Sequence, residues 1–185
     1  MSEENKLITE RKKKLEEIKK KYKPYPNNFK KLDNTAEIIS NHSETDKETL
    51  ADENNNVSIS GRLLTIRNMG NSSFANLHDE TGNIQIYLQK KQVGDDAYWL
   101  FNNLDLGDIV GINGNLFKTK TGELTVNTET IELLSKSLRP LPEKFHGIVD
   151  IEIKYRQRYL DLMINPETKN LFKTRSRIVS VIRNH

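Results

Sequence analysis

Residues 72–88 read SSFANLHDETGNIQIYL. Two short runs alternate polar with apolar residues and are separated by Glu80-Thr81-Gly82-Asn83, the pattern of two antiparallel strands joined by a tight turn. Because side chains alternate across a strand, Ala75 and Leu77 share one face of the first run. Ile84, Ile86 and Leu88 share one face of the second, and these five define a buried interior. Phe74 and Asn76 then lie on the outer surface with Gln85 and Tyr87.

Working outward, strands are expected at Val57–Arg67, Ser72–His78, Asn83–Leu88, Asp108–Lys118 and Leu124–Leu134, with turns at Met69-Gly70-Asn71 and Lys118–Gly122. Between the third and fourth runs, Ala97, Leu100, Phe101 and Leu104 form a helical stripe within Asp95–Leu104. Three strands, a helix and two more strands are the element order of an OB-fold, a five-stranded Greek-key barrel. An SH3-like barrel lacks that helix. In the first run the apolar parity changes from Val57, Ile59 and Leu63 to Leu64 and Ile66, which predicts a bulge or coil near Gly61.

The flanks are different. No Gly or Pro occurs from Glu3 to Tyr22, and Ile8, Leu15, Ile18 and Tyr22 make a narrow apolar stripe, so one basic helix is expected there, ending at Lys23-Pro24. Residues 27–56 are polar and acidic and read as a connector with short helices at Thr35–Ser40 and Thr45–Glu53, the second opened by a Thr cap. After the barrel, two prolines within Ser137–His146 indicate an extended linker. The division is 1–56 for the basic helix and connector, 57–135 for the barrel, 136–160 for the linker and 161–185 for the start of a further domain. The chain is thus mainly β with added α.

Composition narrows the function. The 185 residues are 35% hydrophobic and 30% charged, enough for one small core. There is no cysteine, which excludes a disulfide framework, a thiolate zinc site and a cysteine nucleophile. The charged start MSEENKLITERKKK does not read as a signal peptide, no run approaches membrane-spanning length, and the cytoplasm is the expected compartment. Charge is segregated: residues 1–23 hold nine basic and five acidic side chains (+4) and residues 136–185 hold eleven and five (+6). Residues 24–56 hold three and seven (−4) and residues 57–135 six and nine (−3). Basic segments flanking an acidic middle suit a polyanionic partner, but charge alone favours a pair of solvated helix faces.

The outer face of the second and third strands carries the chemistry. A ring offers its π-face to an unstacked base, an amide matches a base edge with a donor and an acceptor, and Arg67 at the end of the first strand supplies a planar charged fork. On the residues alone, a second reading stays open: Phe74 packs under the amino-terminal helix or connector, while Asn76 and Gln85 merely solvate a strand. Lys118, Lys120 and Glu123 in the last loop flank the same face. His42, His78, His146 and His185 lack ligand spacing, so no metal site is expected. Gly111-Ile112-Asn113-Gly114 does not open a helix and cannot cradle phosphate. No catalytic constellation is visible.

The run LRPLPEKFHGIVDIEIKYRQRYLDL, residues 138–162, resembles the junction between the anticodon-binding and catalytic domains of bacterial-type class II lysyl-tRNA synthetases. RYLDL is shared with aspartyl and asparaginyl relatives, whereas PLPEKFHG followed by KYRQRYLDL points to the lysine family. KPYP, GRLLTIRNMGNSSFANLHDETGNIQIYL and LGDIVGINGNLFKTKTGELTV agree with it. The resemblance implies that residues 161–185 begin a class II catalytic domain truncated before its ATP and lysine sites, so that these residues alone form no lysyl-adenylate. It implies that Phe74 stacks on the central uracil of the anticodon, that Gln85 and Arg67 hydrogen-bond its edge, and that Glu123 helps read a neighbouring base.

The expected partner is the tRNA(Lys) anticodon stem-loop, with no membrane and no DNA. Lys12, Lys13, Lys19, Lys20, Lys118 and Lys120 are candidate contacts to the RNA backbone. The resemblance also implies ATP and Mg2+ as requirements of the whole enzyme, with no cofactor bound by this portion, and a homodimer whose interface lies near Phe145–Leu162. The alternatives are a stand-alone OB-fold module for single-stranded RNA and a barrel whose aromatic face is covered by a protein.

Overall fold

The computed structural model of the chain describes residues 3–23, 25–52, 55–141 and 150–185. It divides into two compact units, Met1–Pro140 and Leu141–His185. The expected dimer-interface residues Phe145 and His146 fall within residues 142–149, outside the described residues.

The first unit is built on a closed barrel of five strands: β1 (Asn56–Asn68), β2 (Ser72–His78), β3 (Asn83–Gln89), β4 (Ile109–Lys118) and β5 (Leu124–Ser135). Their order around the barrel is β1-β2-β3-β5-β4. All neighbours are antiparallel except β3 and β5, and β4 closes on β1. Strand alternation fills the inside: Ile59, Leu63, Leu77, Ile86, Leu88, Val110, Ile112 and Val126 are fully buried. Each such side chain contributes about 1.5–3 kcal/mol over its exposed state.

β1 serves both halves of the barrel, pairing with β4 over Asn56–Arg62 and with β2 over Arg62–Asn68. The irregularity lies between Leu63 and Thr65 rather than at Gly61, so Leu64 is the extra residue that re-aims the strand. Gly61 has a different task. A Cβ there would sit 2.5 Å from the carbonyl oxygen of His78, so only glycine lets β1 and β2 approach at the crossing.

Three helices precede the barrel: α1 (Glu3–Lys21), α2 (Thr35–His42) and α3 (Lys47–Asp52). α1 docks by its stripe, with Leu15 and Ile18 buried, Tyr22 stacked on Trp99 at 6.5 Å and Lys21 over the same indole. α3 begins two residues after Thr45. The connector is pinned to β1: the backbone N–H groups of Leu32 and Asp33 donate to the Ser58 carbonyl, and the Ser58 N–H donates to the Asp33 carboxylate at 2.7 Å. The helix between β3 and β4, α4 (Lys90–Asn102), starts earlier than its apolar stripe suggested. Gly94, at φ +85°, breaks it into a short first turn and the amphipathic segment that buries Tyr98, Leu100 and Phe101.

Two buried polar clusters hold these pieces. In the β2–β3 turn, Asp79 accepts hydrogen bonds from the backbone N–H groups of Thr81 and Gly82, from the Thr81 hydroxyl, from Lys31, and from the N–H of Thr35 at the start of α2. Thr81 Oγ1 accepts from the next helical N–H, Ala36. The first turn of α2 is therefore capped by the hairpin, which is why Asn34 caps nothing with its own side chain. Burial alone would raise the Asp79 pKa, but these donors outweigh it and hold the carboxyl well below the usual range. Below β4, Lys136 is fully buried and reaches Asp105 at 2.5 Å and Asp108 at 2.6 Å. Asp108 also accepts from the Asp105 and Ser137 N–H groups, and Lys14 of α1 reaches Asp105.

The second unit contains α5 (Ile151–Arg156), α6 (Arg158–Ile164) and α7 (Pro166–Asn184). Residues 151–160, assigned to the linker from sequence, are thus mostly helical. Asp150 caps α5, and Asn165 caps α7 ahead of Pro166 at its first position. Within RYLDL, Arg158 pairs with buried Asp161 and lies over the rings of Tyr155 and Phe172.

Candidate nucleic-acid interface

The outer face is assembled by register. Arg67 on β1 is opposite Phe74 on β2, which is opposite Tyr87 on β3. One step along, Asn76 is opposite Gln85, Gln85 is opposite Thr125 on β5, and Thr125 is opposite Phe117 on β4. One row thus crosses β1, β2 and β3, and the other crosses β2, β3, β5 and β4. Ala75 and Leu77 are buried beneath them, as alternation requires.

Phe74 is half-buried and its ring meets Tyr87 at 4.7 Å between centroids, tilted by 41°. That ring partner is its cross-strand neighbour on the same face. Tyr87 in turn meets Phe117 edge-on at 5.9 Å. Phe117 does not stand out in the sequence, although period-two alternation with buried Leu116 places it outside. The aromatic platform therefore has three rings rather than two.

Arg67 is exposed and makes no ion pair among the described residues. The turn that follows it is tied down from below: buried Tyr98 of α4 donates from its hydroxyl to the Gly70 carbonyl at 2.8 Å and lies 3.0 Å from the Ser73 hydroxyl. Ser73 donates to Asn68. The guanidinium is thus carried on a fixed strand end beside a ring.

Gln85 is the polar centre. Its Nε2 donates to Glu123 Oε2 at 2.9 Å, and its Oε1 accepts from the Thr125 hydroxyl at 3.0 Å. Glu123 is exposed and closes the β4–β5 turn, where the Thr119 N–H donates to its carbonyl, its own N–H donates to Thr119 Oγ1 and Gly122 takes φ +85°. The four residues expected to read an anticodon, Arg67, Phe74, Gln85 and Glu123, therefore share one surface.

The lysines differ among themselves. Lys12 and Lys13 project from α1 into solvent, Lys19 and Lys20 are paired with Glu16 and Glu17 one turn earlier, and Lys120 is exposed in the β4–β5 turn. Lys118 is committed elsewhere: its ammonium donates to the Ser43 carbonyl at the end of α2. Among the described residues no three His, Asp or Glu side chains are grouped so as to hold a metal ion. No helix among them is long and apolar enough to cross a membrane.

Residues 57–134, the barrel, match the family described as OB-fold nucleic acid binding domain, tRNA anti-codon type. The chain is 54% identical over 132 residues to a lysine--tRNA ligase of Pelotomaculum thermopropionicum, covering 71% of this chain and 26% of the relative. It is 49% identical over 149 residues to the ligase of the same name from Bacillus subtilis, covering 80% and 30%. The match to that of Cupriavidus pinatubonensis is 45% over 184 residues, 100% of this chain and 36% of the relative. The chain thus spans between a quarter and a little over a third of the length of these relatives.

Proposed function

We propose, from the premise that this chain belongs to the lysine--tRNA ligase family and that its barrel is the OB-fold nucleic acid binding domain, that the outer face of β2 and β3 binds the anticodon loop of tRNA(Lys). The observation that carries this reading is the convergence of Phe74, Arg67 and Gln85 on one half-exposed surface. An unpaired base stacks on Phe74, whose tilt against Tyr87 leaves a ring face to offer. The base edge then meets Gln85 and Arg67, and uracil, with two carbonyl acceptors flanking one N–H, suits an amide and a guanidinium without help from a metal. Glu123, one oxygen of which holds Gln85, has further acceptor capacity for a neighbouring base.

Backbone phosphates are met by Lys12 and Lys13 on α1 and by Lys120. Lys19 and Lys20 contribute less, because each already faces a carboxylate, and Lys118 is spent on Ser43. In the longer proteins of this family, recognition at this face serves the attachment of lysine to tRNA with ATP. The share of this chain is selection of the tRNA.

Binding of the 185-residue chain to a UUU anticodon stem-loop, set against an unrelated loop of equal length, tests the reading. The UUU loop is expected to bind more tightly, and Phe74→Ala to weaken it by about 1–3 kcal/mol, the scale for one base stacked on an aromatic side chain. Equal affinity for the two loops, or an unchanged affinity in Phe74→Ala, would remove this face from anticodon recognition.

A further inference from the structure

Gln85 owes its usefulness to which way its amide points. An amide turned by half a rotation exchanges donor for acceptor, and the two orientations read opposite base edges. Uracil presents a carbonyl acceptor at C4 beside the N3–H donor, whereas cytosine presents an amino donor at C4 beside the N3 acceptor. A freely turning amide pairs with either pyrimidine. One held in a single orientation pairs with one of them and sets like against like on the other, the situation in which a polar site discriminates most strongly.

The neighbours of Gln85 are unequal in how they hold it. Thr125 is fully buried, and its hydroxyl lies 3.0 Å from Gln85 Oε1 and 3.1 Å from the Glu123 carbonyl. Its single proton can serve either acceptor, and its lone pairs can accept from an amide N–H, so Thr125 tolerates both orientations. Glu123 does not. An ionised carboxylate only accepts, and turning the amide would set Gln85 Oε1 against Glu123 Oε2 at 2.9 Å. The turn that carries Glu123 is itself braced by Thr119, which holds the backbone from which the carboxylate reaches Gln85.

We infer that Glu123 is a positioning residue: its carboxylate locks the Gln85 amide with the donor side fixed, and through Gln85 it makes the base stacked on Phe74 a keto pyrimidine rather than an amino one. The inference rests on the reading of the face given above and extends it. Glu123 acts on the central base at second hand, in addition to any contact with its neighbour. Nε2 keeps a second N–H and Oε1 a second lone pair, so the locked amide still has a donor and an acceptor to present.

The test uses one pair of stem-loops that differ only in the central anticodon base, U or C, and a second pair that differ only at an adjacent anticodon base, and reads the ratio of the two dissociation constants within each pair for the 185-residue chain and its variants. The unaltered chain is expected to favour U. Glu123→Gln replaces the carboxylate with an amide that can pair with Gln85 in either orientation, and it is expected to lower the preference for U over C roughly tenfold or more, the scale of one well-oriented pair of hydrogen bonds to a base. The change comes mainly from tighter binding of the C loop. Glu123→Ala is expected to lower the preference likewise.

A preference for U over C unchanged in both variants would overturn the inference while leaving the face as the anticodon site. If only selectivity at the adjacent base moved, Glu123 would be a direct reader and the inference would equally fail. An unaltered chain with no preference between U and C would instead sink the reading of the face, and the inference with it.

Discussion

Asp79, in the turn between β2 and β3, and Glu123, in the turn between β4 and β5, are both carboxylates at hairpin ends of one barrel, and the fold uses them in opposite ways. Asp79 is buried and accepts from three backbone N–H groups, a hydroxyl and an ammonium. Glu123 is exposed and holds one amide. Where the protein itself supplies donors on every side, a polar group is architecture. Where its capacity is only partly used, beside half-exposed rings, it is available to a ligand. The buried lysine-aspartate cluster at Lys136 belongs with Asp79, and the surface around Gln85 belongs with Glu123.

The contrast breaks most visibly at Lys136. Lys136→Met leaves Asp105 and Asp108 without their buried partner and is expected to cost about 3–5 kcal/mol of stability, read from urea unfolding. Stem-loop affinity of the folded fraction should stay as it was. A cost of only about 1 kcal/mol, the scale of an exposed ion pair, would show that water already reaches this cluster.

Asp79→Asn is next, at about 1.5–3 kcal/mol, the range for hydrogen bonds to a charged group. The variant also tests a pH effect whose sign is fixed by the pKa. Asp79 and Asp105 titrate below their ordinary value in the folded chain. Their contribution is therefore complete above the unfolded-state pKa of about 3.9 and is lost as pH falls from there through the folded values. Stability of the unaltered chain should decline steeply below about pH 4, and less steeply in Asp79→Asn. Parallel pH profiles would mean that Asp79 is not the group responsible.

Glu123→Ala sharpens the other side: thermal unfolding should move by no more than about 0.5 kcal/mol, because an exposed side chain with one hydrogen bond supports little. The smallest effect belongs to α1. Lys12→Gln with Lys13→Gln should leave stability alone and reduce the salt slope of stem-loop binding by about 1 for each phosphate no longer neutralised. Deleting α1 would be a poor substitute, since Leu15 and Ile18 are part of the barrel's covering. An unaltered slope would limit α1 to that structural task.

The barrel and the make-up of its outer face were legible because both depend on a local rule. Alternation along SSFANLH and NIQIYL sorts Ala75, Leu77, Ile84 and Ile86 from Phe74 and Gln85 with no knowledge of what lies beyond the strand. The same rule, applied to Leu116 and Phe117, would have added the third ring. The bulge was expected at a glycine, yet the parity change itself marks Leu64, the residue just after the last in-phase Leu63. Nothing local reports that Asp79 and Thr81 cap a helix more than forty residues earlier, or that Lys136 is buried between two aspartates. A lysine in sequence looks like surface charge, and only the closure of the chain tells Lys118 and Lys136 from Lys12. The hydrogen bond from Gln85 to Glu123 belongs to the same class, since it joins two strands that are parallel neighbours only because the barrel closes.

Arg11 reaches from α1 to the carbonyls of Ser137 and Arg139, the backbone leaving β5, while Lys14 meets Asp105 in the cluster that holds Lys136. The first helix and the exit of the last strand are therefore fastened to one another at a shared clasp. Peeling α1 away breaks these contacts with the exit of β5, so fraying at the amino end loosens the other end of the unit as well.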